Sequence, residues 1–395
     1  MARWYTGTPR NFRGDETYFA RESGLTCRGL QKLGHDSRAI MPGLPMPDDL
    51  PDLIRATKEE LASPVWWEGL GLEGMIFYTW GSPRYARMVS AARSAGVRVA
   101  QVTDTQGVFS PLSDWKAHLG AERVHYWHEP RWKQTARTLA KIPVSHTARI
   151  LTRDIPTARA IAGSEFFLVS TPQAEARYRS FVSRLVGTDA ARKVRFIPVP
   201  VNFHFRFDPA ADRKEDEVLA VGRWDSLQKR TPLLLETISL AIDRCTASFR
   251  IFGKIPPEME AWYASLNARA KSRVILEGVV PNAVVAEAYK RAKVMLVSSA
   301  YEGCHNSSAE AVCSGASVVG CRSPFLSVLE WHCSKGSGRL ADKPSARALA
   351  DALCQELECW VTGGRDPGRI SMDWRPDFRP DLVAKKILDL FSTGS

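Results

Sequence analysis

The segment YEGCHNSSAEAVCSG (301–315) places two glutamates, Glu302 and Glu310, eight positions apart around a run of small polar residues. The residues NSS (306–308) are expected at the N-terminus of a helix, where free backbone N–H groups and the helix dipole attract anions. Their small side chains leave the backbone accessible to a ligand. The segment therefore predicts an anion site, with phosphate as the favoured anion.

Each carboxylate also has an ordinary structural interpretation. Ser307 and Glu310 have the spacing of a capping box, with Ser307 as the N-cap and Glu310 at the third helical position. Glu302 fits a solvated carboxylate in a loop. The pattern of this segment alone leaves both interpretations open.

Alternating strand and helix patterns surround the two glutamates. The apolar run KVMLVSS (293–299) predicts a strand that leads directly into Glu302. Strands that alternate with helices form parallel sheets, and ligands of such sheets bind beyond the carboxyl ends of the strands. The predicted strands are 3–6, 37–41, 74–80, 97–104 and 166–171 in the first half, and 217–223, 248–254, 273–278, 293–299 and 316–320 in the second.

A proline-rich stretch, RFIPVPVNFHFRFDPAADRKED (195–216), interrupts this alternation and predicts an interdomain linker. The chain has 395 residues, which suits two domains. We therefore predict an α/β protein with Rossmann-like domains at 1–205 and 206–375, facing across a cleft that holds the ligand. The final stretch, 376–395, contains a further helix.

The two glutamates and their neighbours resemble a motif of the retaining glycosyltransferases with the GT-B fold, in the family-4 class. That E-x7-E motif follows a strand and pairs Glu-Gly with a later Glu-Ala, a Gly and a Val-Val strand. The family's other motif is a strand ending Val-Gly-Arg and followed by a Lys. The matching positions are Val221-Gly222-Arg223, Lys229, Glu302-Gly303, Asn306, Glu310-Ala311, Gly315 and Val318-Val319. The resemblance is strong over residues 215–320 and weak in the first half.

The resemblance implies a GT-B enzyme that moves a sugar of the hexosyl type from a nucleoside diphosphate to an acceptor and retains the anomeric configuration. The first domain then binds the acceptor, which is a saccharide, a lipid-linked sugar or another hydroxyl compound, as in polysaccharide biosynthesis. The second domain binds the nucleotide sugar. The helix in 376–395 is expected to pack back on the first domain.

The same resemblance assigns roles to individual residues. Arg223 and Lys229 hold the diphosphate, because cations placed in advance stabilise the charge of a departing group. Glu302 lies close to the donor sugar, and Glu310 accepts hydrogen bonds from the ribose hydroxyls. We take Glu302, Arg223 and Lys229 as the catalytic residues. The implied substrate-binding residues are Glu310, Asn306, Ser307, His305, Gly14 and Asp104.

Three of these assignments have open alternatives. His305 stands, after Cys304, where the family has Gly or Pro, so it could bind a sugar hydroxyl or phosphate, or be a plain loop histidine. Asp104, in VRVAQVTDTQG (97–107), occupies the place of a family histidine, although a helix or turn cap is an equal explanation. Gly14 resembles the family's first glycine loop, where backbone approaches substrate, but a lone glycine is a weak indication.

We expect no metal and no cofactor. No Asp-x-Asp pair occurs in the sequence, which disfavours the glycosyltransferases that hold a metal ion with paired carboxylates. In the predicted enzyme, the positive charges of Arg223 and Lys229 neutralise the diphosphate instead.

The net charge of +11 lies almost entirely in residues 1–205, which carry 28 Lys and Arg against 19 Asp and Glu. A solvated surface explains part of this excess of positive charge. The more specific interpretation is that the first half of the chain binds an acidic partner. The basic, aromatic stretch 125–143 is a candidate contact for the acceptor or an anionic membrane, with an ordinary solvated helix as the alternative. Its key residues would be Trp127, Arg131, Trp132 and Lys133.

Three other functions compete with sugar transfer. A nucleotide-sugar epimerase or a phosphorylase can share the fold, and a non-catalytic module can bind the same ligand. A basic nucleic-acid-binding protein would need a recognisable binding motif, which we do not find, so no nucleic-acid partner is expected. The sequence has no apolar run of membrane-spanning length and no signal peptide, and its cysteines are scattered. We expect a cytoplasmic protein, with peripheral contact at the inner face of the membrane as an alternative.

Overall fold

The computed structural model describes residues 2–118, 130, 132–133, 136–137 and 147–393, and the chain divides into two compact α/β units. The first unit comprises Met1–Asn202 and Arg379–Ser395, and the second comprises Phe203–Phe378. The chain thus crosses between units after residue 202 and again after 378, where the sequence suggested 205 and 375.

The first unit is built on a sheet of seven parallel strands in the order β3-β2-β1-β4-β5-β6-β7. Parallel neighbours require crossover connections, which the helices supply. The central strands are apolar and buried, as expected for a sheet covered on both faces. The strands are β1 (Trp4–Gly7), β2 (Ala39–Pro42), β3 (Leu53–Ala56), β4 (Gly74–Phe77), β5 (Arg98–Thr103), β6 (Phe166–Val169) and β7 (Val194–Phe196).

Helices connect these strands. The helices are α1 (Glu16–Phe19), α2 (Glu22–Lys32), α3 (Lys58–Leu61), α4 (Pro64–Leu70), α5 (Ala86–Ser94), α6 (Thr147–Arg149), α7 (Ile155–Ala162), α8 (Pro172–Val186) and α9 (Thr188–Ala191), with a 3₁₀ turn at Pro83–Tyr85 and a π-helical turn at Ile150–Asp154.

The second unit repeats the plan with six parallel strands in the order β10-β9-β8-β11-β12-β13. The strands are β8 (Glu215–Val221), β9 (Ser248–Phe252), β10 (Val274–Gly278), β11 (Ala292–Leu296), β12 (Ser317–Cys321) and β13 (Gly338–Ala341). The helices are α10 (Thr231–Ile242), α11 (Pro257–Ser265), α12 (Ala268–Lys271), α13 (Asn282–Arg291), α14 (Asn306–Cys313), α15 (Ser327–Cys333), α16 (Ala346–Val361) and α17 (Pro367–Phe378).

The last helix, α18 (Pro380–Thr393), belongs to the first unit and packs against α2. Its apolar face joins the core of that unit, where the rings of Phe391 and Trp4 lie 4.8 Å apart. Gly29 of α2 permits the approach, because a Cβ there would collide with the backbone of Pro380. The helix predicted within 376–395 therefore begins at Pro380. Residues 376–378 form the end of α17 instead.

The predicted linker, 195–216, is longer than the observed one. Its first two residues belong to β7, and its last two belong to β8. The pairing of Arg195 with Leu168 of β6 extends the first sheet, and a local pattern of residues does not reveal such a pairing. Among the described helices, none combines the length and apolar character needed to cross a membrane.

Candidate functional site

Two loops of the second unit, here called the motif loops, contain the residues predicted to bind the donor. They follow β8 and β11, which are neighbouring strands, and they begin at the same edge of the sheet. β8 and β11 are adjacent and parallel, so the segments that follow them begin side by side. Hydrogen bonds join the two loops directly. Ser298 Oγ donates to the Lys229 carbonyl (2.6 Å), and the Ala300 N–H donates to the Gln228 carbonyl (2.7 Å).

The loop after β8 is held by Asp225. Its carboxylate accepts the backbone N–H groups of Leu227 (3.0 Å) and Gln228 (2.5 Å), and its carbonyl accepts the Thr231 hydroxyl (3.1 Å). Arg230 takes the left-handed conformation, with φ of 47°, immediately before α10. This conformation is uncommon for a residue with a side chain, and the surrounding hydrogen bonds must maintain it.

Lys229 and Glu302 form a nearly buried ion pair. The Lys229 Nζ lies 2.5 Å from Glu302 Oε1, and their side chains are 11% and 9% exposed. Gln228 Nε2 donates to the other carboxylate oxygen (3.3 Å). The structure therefore brings two of the predicted catalytic residues into direct contact and adds Gln228, which sequence reasoning missed.

The environment of Glu302 keeps its carboxylate ionised. Burial by itself raises the pKa of this group, but the His305 ring, the Lys229 ammonium and a hydrogen bond from Ser299 outweigh burial, so the pKa lies below its ordinary value. Burial also lowers the pKa of His305 to about 4, so that ring is neutral near pH 7. At neutral pH the Lys229 ammonium is thus the charge that stabilises the anion.

His305 occupies an unusual position at the start of α14. Its backbone is left-handed, with φ of 45°, and its Nε2 lies 3.8 Å from Glu302 Oε1. Only 6% of the residue is exposed. A buried ring beside a carboxylate is not a plain loop histidine, although its predicted contact with substrate stays a prediction.

The capping box, one of the two interpretations open for Ser307 and Glu310, is wrong. Helix α14 runs from Asn306 to Cys313 with His305 as its N-cap residue, and no side chain caps it. Ser307 therefore lies inside the first turn and cannot act as the N-cap. The left-handed backbone of His305 lets the helix start at Asn306, two residues earlier than the capping-box pattern requires.

The remaining donor-binding candidates lie on or beside this helix start. Asn306 Oδ1 accepts the Cys304 thiol hydrogen (2.8 Å). Glu310 is half-buried and follows Asn306 by four residues, so the two share one face of α14. The first backbone N–H groups of an α-helix have no partner within the helix, which leaves a predicted anion site at Asn306 and Ser307.

Arg223 follows the end of β8 and is exposed. Within the part of the chain that the structure describes, no hydrogen bond or ion pair joins its guanidinium to another residue. The backbone beside it is closely packed, because a Cβ at Gly253 would collide with the Gly222 carbonyl, and Gly253 has φ of 118°. Arg223 is therefore an exposed cation beside a closely packed strand end.

In the first unit, Gly14 lies in a tightly packed loop. A Cβ there would collide with the side chains of Leu53 and Asp49, and its carbonyl accepts the Leu50 N–H (2.9 Å). Asp49 also forms an ion pair (2.6 Å) with Arg55, whose side chain is 2% exposed. Local packing alone accounts for a glycine at this position, and its predicted substrate contact is not needed to explain it.

Asp104 directly follows β5 and has neighbours from two adjacent strands. Burial raises the pKa of its carboxyl above the ordinary value, opposed by hydrogen bonds from its own N–H and the Trp80 side chain and by the charge of Arg10. Trp80, after β4, is left-handed with φ of 57°, and the Arg10 guanidinium lies 4.8 Å from its ring centroid. Sequence reasoning missed Arg10 and Trp80, which only the adjacency of β1, β4 and β5 brings together.

The basic stretch 125–143 lies mostly outside the described residues, and Trp127 and Arg131 fall there. Trp132 is 69% exposed, and the Lys133 Nζ lies 5.5 Å from its ring centroid. Among the residues that the structure describes, no group of three or more His, Cys, Asp or Glu side chains could hold a metal ion.

The motif-bearing part of the chain matches a known family. Residues 215–359 match the family model described as Glycosyl transferases group 1, and both motifs lie within this range. The sequence matches none of the curated proteins.

Similar solved structures extend over nearly the whole chain. Sucrose-phosphate synthase from Thermosynechococcus elongatus has 17% identity and a TM-score of 0.61, covering 99% of this chain and 98% of that one. HepE from Anabaena in complex with UDP has 10% identity and a TM-score of 0.61 (99% and 100% covered). The catalytic domain of Starch Synthase IV from Arabidopsis thaliana, bound to ADP and acarbose, has 10% identity and a TM-score of 0.62 (99% and 99%).

At these identities the structural similarity establishes the fold. The prediction of an α/β protein of the GT-B type, with two Rossmann-like domains, is confirmed. Together, the Glycosyl transferases group 1 segment and this fold support a glycosyltransferase.

Proposed function

We propose that the protein is a retaining, metal-independent glycosyltransferase that moves a hexosyl group from a nucleoside-diphosphate sugar to a hydroxyl acceptor. The observation that carries this proposal is the buried Lys229–Glu302 pair, with Arg223 nearby in sequence, in the loops that follow β8 and β11. Both loops lie within the segment that matches Glycosyl transferases group 1. UDP and ADP in two of the similar structures agree with a nucleotide ligand.

The donor diphosphate is assigned to Arg223, Lys229 and the start of α14. Arg223 offers a planar fork to phosphate oxygens, and Lys229 offers a point charge. Backbone N–H groups at Asn306 and Ser307 add fixed dipoles. These groups face the charge that develops on the diphosphate when its bond to the anomeric carbon breaks, and fixed groups stabilise it without reorganisation.

The sugar and ribose are assigned to carboxylates. An ionised Glu302 attracts the positive character of the anomeric carbon, and His305 binds a sugar hydroxyl beside it. Glu310 accepts hydrogen bonds from the ribose hydroxyls. In the transfer, the bond from the anomeric carbon to the diphosphate breaks, and a bond to the acceptor oxygen forms on the same face. The diphosphate leaves with the bonding electrons, and its departing oxygen takes the proton that the acceptor hydroxyl loses.

The acceptor is assigned to the first unit, with Gly14 and Asp104 as the predicted contacts. Its chemistry is a saccharide, a lipid-linked sugar or another hydroxyl compound. The positive charge of residues 1–205 favours an acidic acceptor or an anionic surface near it.

Calorimetric titration of UDP, GDP, ADP and dTDP in EDTA tests the donor assignment. We expect one nucleotide to bind without metal, and Glu310→Ala to weaken that binding by about 1.5–3 kcal/mol, the range for hydrogen bonds to a charged group. Glu260→Ala, which removes an exposed carboxylate from α11, is the matched control and should leave binding unchanged. Binding that requires magnesium contradicts metal independence, and no binding of any nucleotide contradicts the donor assignment.

A further inference from the structure

The buried side chains of His305, Ser308 and His332 are hydrogen bonded in series, and His305 lies beside Glu302. His305 Nδ1 lies 2.7 Å from Ser308 Oγ, and the same oxygen lies 2.6 Å from His332 Nδ1. Ser308 and His332 are fully buried. Neither residue has a role in the function proposed above, and His332 comes from a different helix, α15.

The single hydroxyl hydrogen of Ser308 limits how this series can be arranged. Suppose that Ser308 donates to His332 Nδ1 or to the His305 carbonyl (3.0 Å). His305 must then carry its proton on Nδ1, and the lone pair of its Nε2 lies 3.8 Å from the Glu302 carboxylate. A lone pair beside an anion is repulsive, and among the described residues no hydrogen bond to that nitrogen relieves it.

The remaining arrangement removes this repulsion. Ser308 donates to His305 Nδ1, and His305 carries its proton on Nε2, on the side of Glu302. The His305 carbonyl needs no hydroxyl, because it already accepts the N–H groups of Ser308 (3.1 Å) and Ala309 (3.4 Å). For Ser308 Oγ to be bonded to both rings, His332 must then donate from its own Nδ1.

The surroundings of His332 favour the same arrangement independently. Its ring packs against Trp331, Trp374 and Phe378, with ring centroids 5.0–5.6 Å away, and its Nε2 has no hydrogen-bond partner among the described residues. A buried N–H without a partner is rarer in proteins than a buried acceptor without one. His332 therefore places its proton on Nδ1, toward Ser308, and leaves its Nε2 as the lone pair.

We propose that Ser308 and His332 are positioning residues that hold His305 in the tautomer with its proton on Nε2. His305 then presents an N–H donor beside the Glu302 carboxylate. At 3.8 Å this N–H is too far from Glu302 for a hydrogen bond, so it keeps its donor capacity for a ligand. That the ligand group is a hydroxyl of the transferred sugar rests on the function proposed above.

Long-range ¹H–¹⁵N correlation spectra of protein labelled with ¹⁵N-histidine read the tautomers directly, near neutral pH and without substrate. Signals are assigned with His305→Asn and His332→Asn. In the wild type we expect His305 to carry its proton on Nε2 and His332 on Nδ1. Ser308→Ala should turn His305 into a mixture of tautomers. The opposite tautomer in the wild type, or an unchanged His305 in Ser308→Ala, would overturn the proposal.

Ser314→Ala is the matched control. Ser314 directly follows α14 as its C-cap residue, is fully buried, and has no hydrogen-bond partner for its hydroxyl among the described residues. This variant loses the same buried oxygen as Ser308→Ala but should retain the wild-type His305 signal. A changed His305 signal in the control would mean that general repacking of α14, and not the Ser308 hydroxyl, sets the tautomer.

Kinetics with the donor identified by titration separate this proposal from the proposed function. Ser308→Ala should lower kcat about 3- to 10-fold, the effect of one neutral hydrogen bond, with little change in nucleotide affinity.

His332→Asn, which keeps a donor near the Nδ1 position, should retain more activity than His332→Phe. If no nucleotide binds the wild type, the function fails while the spectra still decide the tautomer. Equal activity of both His332 variants would contradict the role of His332.

Discussion

The carboxyl-end edges of the two sheets carry different chemistry. In the second unit, the loops after β8 and β11 hold the ion pair Lys229–Glu302, almost out of contact with water. In the first unit, the loops after β1, β4 and β5 place the half-buried carboxyl of Asp104 near the exposed guanidinium of Arg10, which lies over the Trp80 ring. Fixed charges suit a ligand with invariant chemistry, such as a diphosphate. The exposed Arg10 cation stays in contact with water, so its contact with the Trp80 ring contributes only about 0.5–1 kcal/mol.

The contrast also has an energetic side. A buried ion pair adds little net stability, because the cost of removing two charges from water offsets their attraction. Stability is therefore a poor explanation for Lys229 and Glu302, and chemistry is a better one. In the first unit, packing is a sufficient explanation for Gly14. The side chains of Leu53 and Asp49 leave no space for a Cβ at this position, whether or not a ligand binds.

The largest effect is expected at Lys229. Lys229→Ala removes the cation assigned to the diphosphate and leaves Glu302 buried without its counter-charge, so kcat should fall about 100- to 1,000-fold. Steady-state kinetics with the donor identified by titration measure kcat of the wild type and of Lys229→Ala. Lys293→Ala is the control. It breaks the partly buried ion pair between Lys293 of β11 and Asp216 of β8 (3.2 Å), which lies near the starts of these strands, and it should change kcat only slightly. Similar losses in both variants would mean that the two ion pairs do not differ in function.

Gly14→Ala tests the packing of the first unit. A Cβ would collide with Leu53 and Asp49, and overpacking of this kind costs about 1–3 kcal/mol in the free energy of unfolding. Nucleotide affinity should not change, because the donor is assigned to the second unit. Urea unfolding and calorimetry check both statements. Gly69→Ala, where a Cβ meets nothing within 4 Å, is the control. If Gly14→Ala is as stable as the wild type, the packing explanation is wrong.

His305 should make stability depend on pH. Burial lowers its pKa from 6.5 to about 4, so between these values the unfolded chain binds a proton that the folded protein does not. The free energy of unfolding therefore falls as pH falls, by about 2 kcal/mol between pH 7 and pH 5 for this group. His305→Asn, a residue that tolerates the left-handed backbone, should remove this contribution.

Urea unfolding at both pH values measures the His305 contribution. Ser314→Ala, which removes no titrating group, should keep the wild-type dependence. The Glu302 carboxyl does not interfere in this window, because its lowered pKa means that its contribution is lost only at more acidic pH. Burial also lowers the pKa of His332, so part of the pH dependence should remain in His305→Asn. A dependence of unchanged size in His305→Asn would show that His305 makes no such contribution.

The smallest effect is expected at Arg10. Arg10→Ala removes an exposed cation–π contact worth about 0.5–1 kcal/mol and a cation near Asp104, so KM for the acceptor should rise about 2- to 5-fold. Nucleotide affinity should stay the same. Arg13→Ala, which removes an exposed arginine three residues away, is the control. A loss of nucleotide affinity in Arg10→Ala would contradict the division of roles between the two units.

The strand pattern was predictable where strands are central and buried. β8 and β11, which carry the two motif loops, are apolar runs bounded by polar residues, and both were identified. The strands that sequence reasoning missed, β3, β7 and β13, all lie at sheet edges and consist mostly of half-buried residues. Edge strands have a weak apolar pattern, because one side of the strand has no neighbour and solvent remains close.

The site was predictable only as a set of residues. Local spacing identified Lys229 and Glu302, but nothing in it indicates that their side chains touch. Spacing also left a capping box at Ser307 open, because a pattern of residue types does not reveal that His305 adopts a left-handed backbone. His332 carried no signal, since it follows Ser308 by 24 residues and meets it only through packing of α15 against α14.

The order of residue types along the chain specifies the alternation of strands and helices, the charges available at each strand end, and the resemblance carried by two motifs. These properties depend on residue types at short separations. Tertiary structure decided which of those charges are buried together, that the His305 ring is neutral, and that Trp80 connects Arg10 to Asp104. Contacts between distant residues and the pKa values that burial shifts depend on how strands and helices pack, and packing is a property of the whole fold.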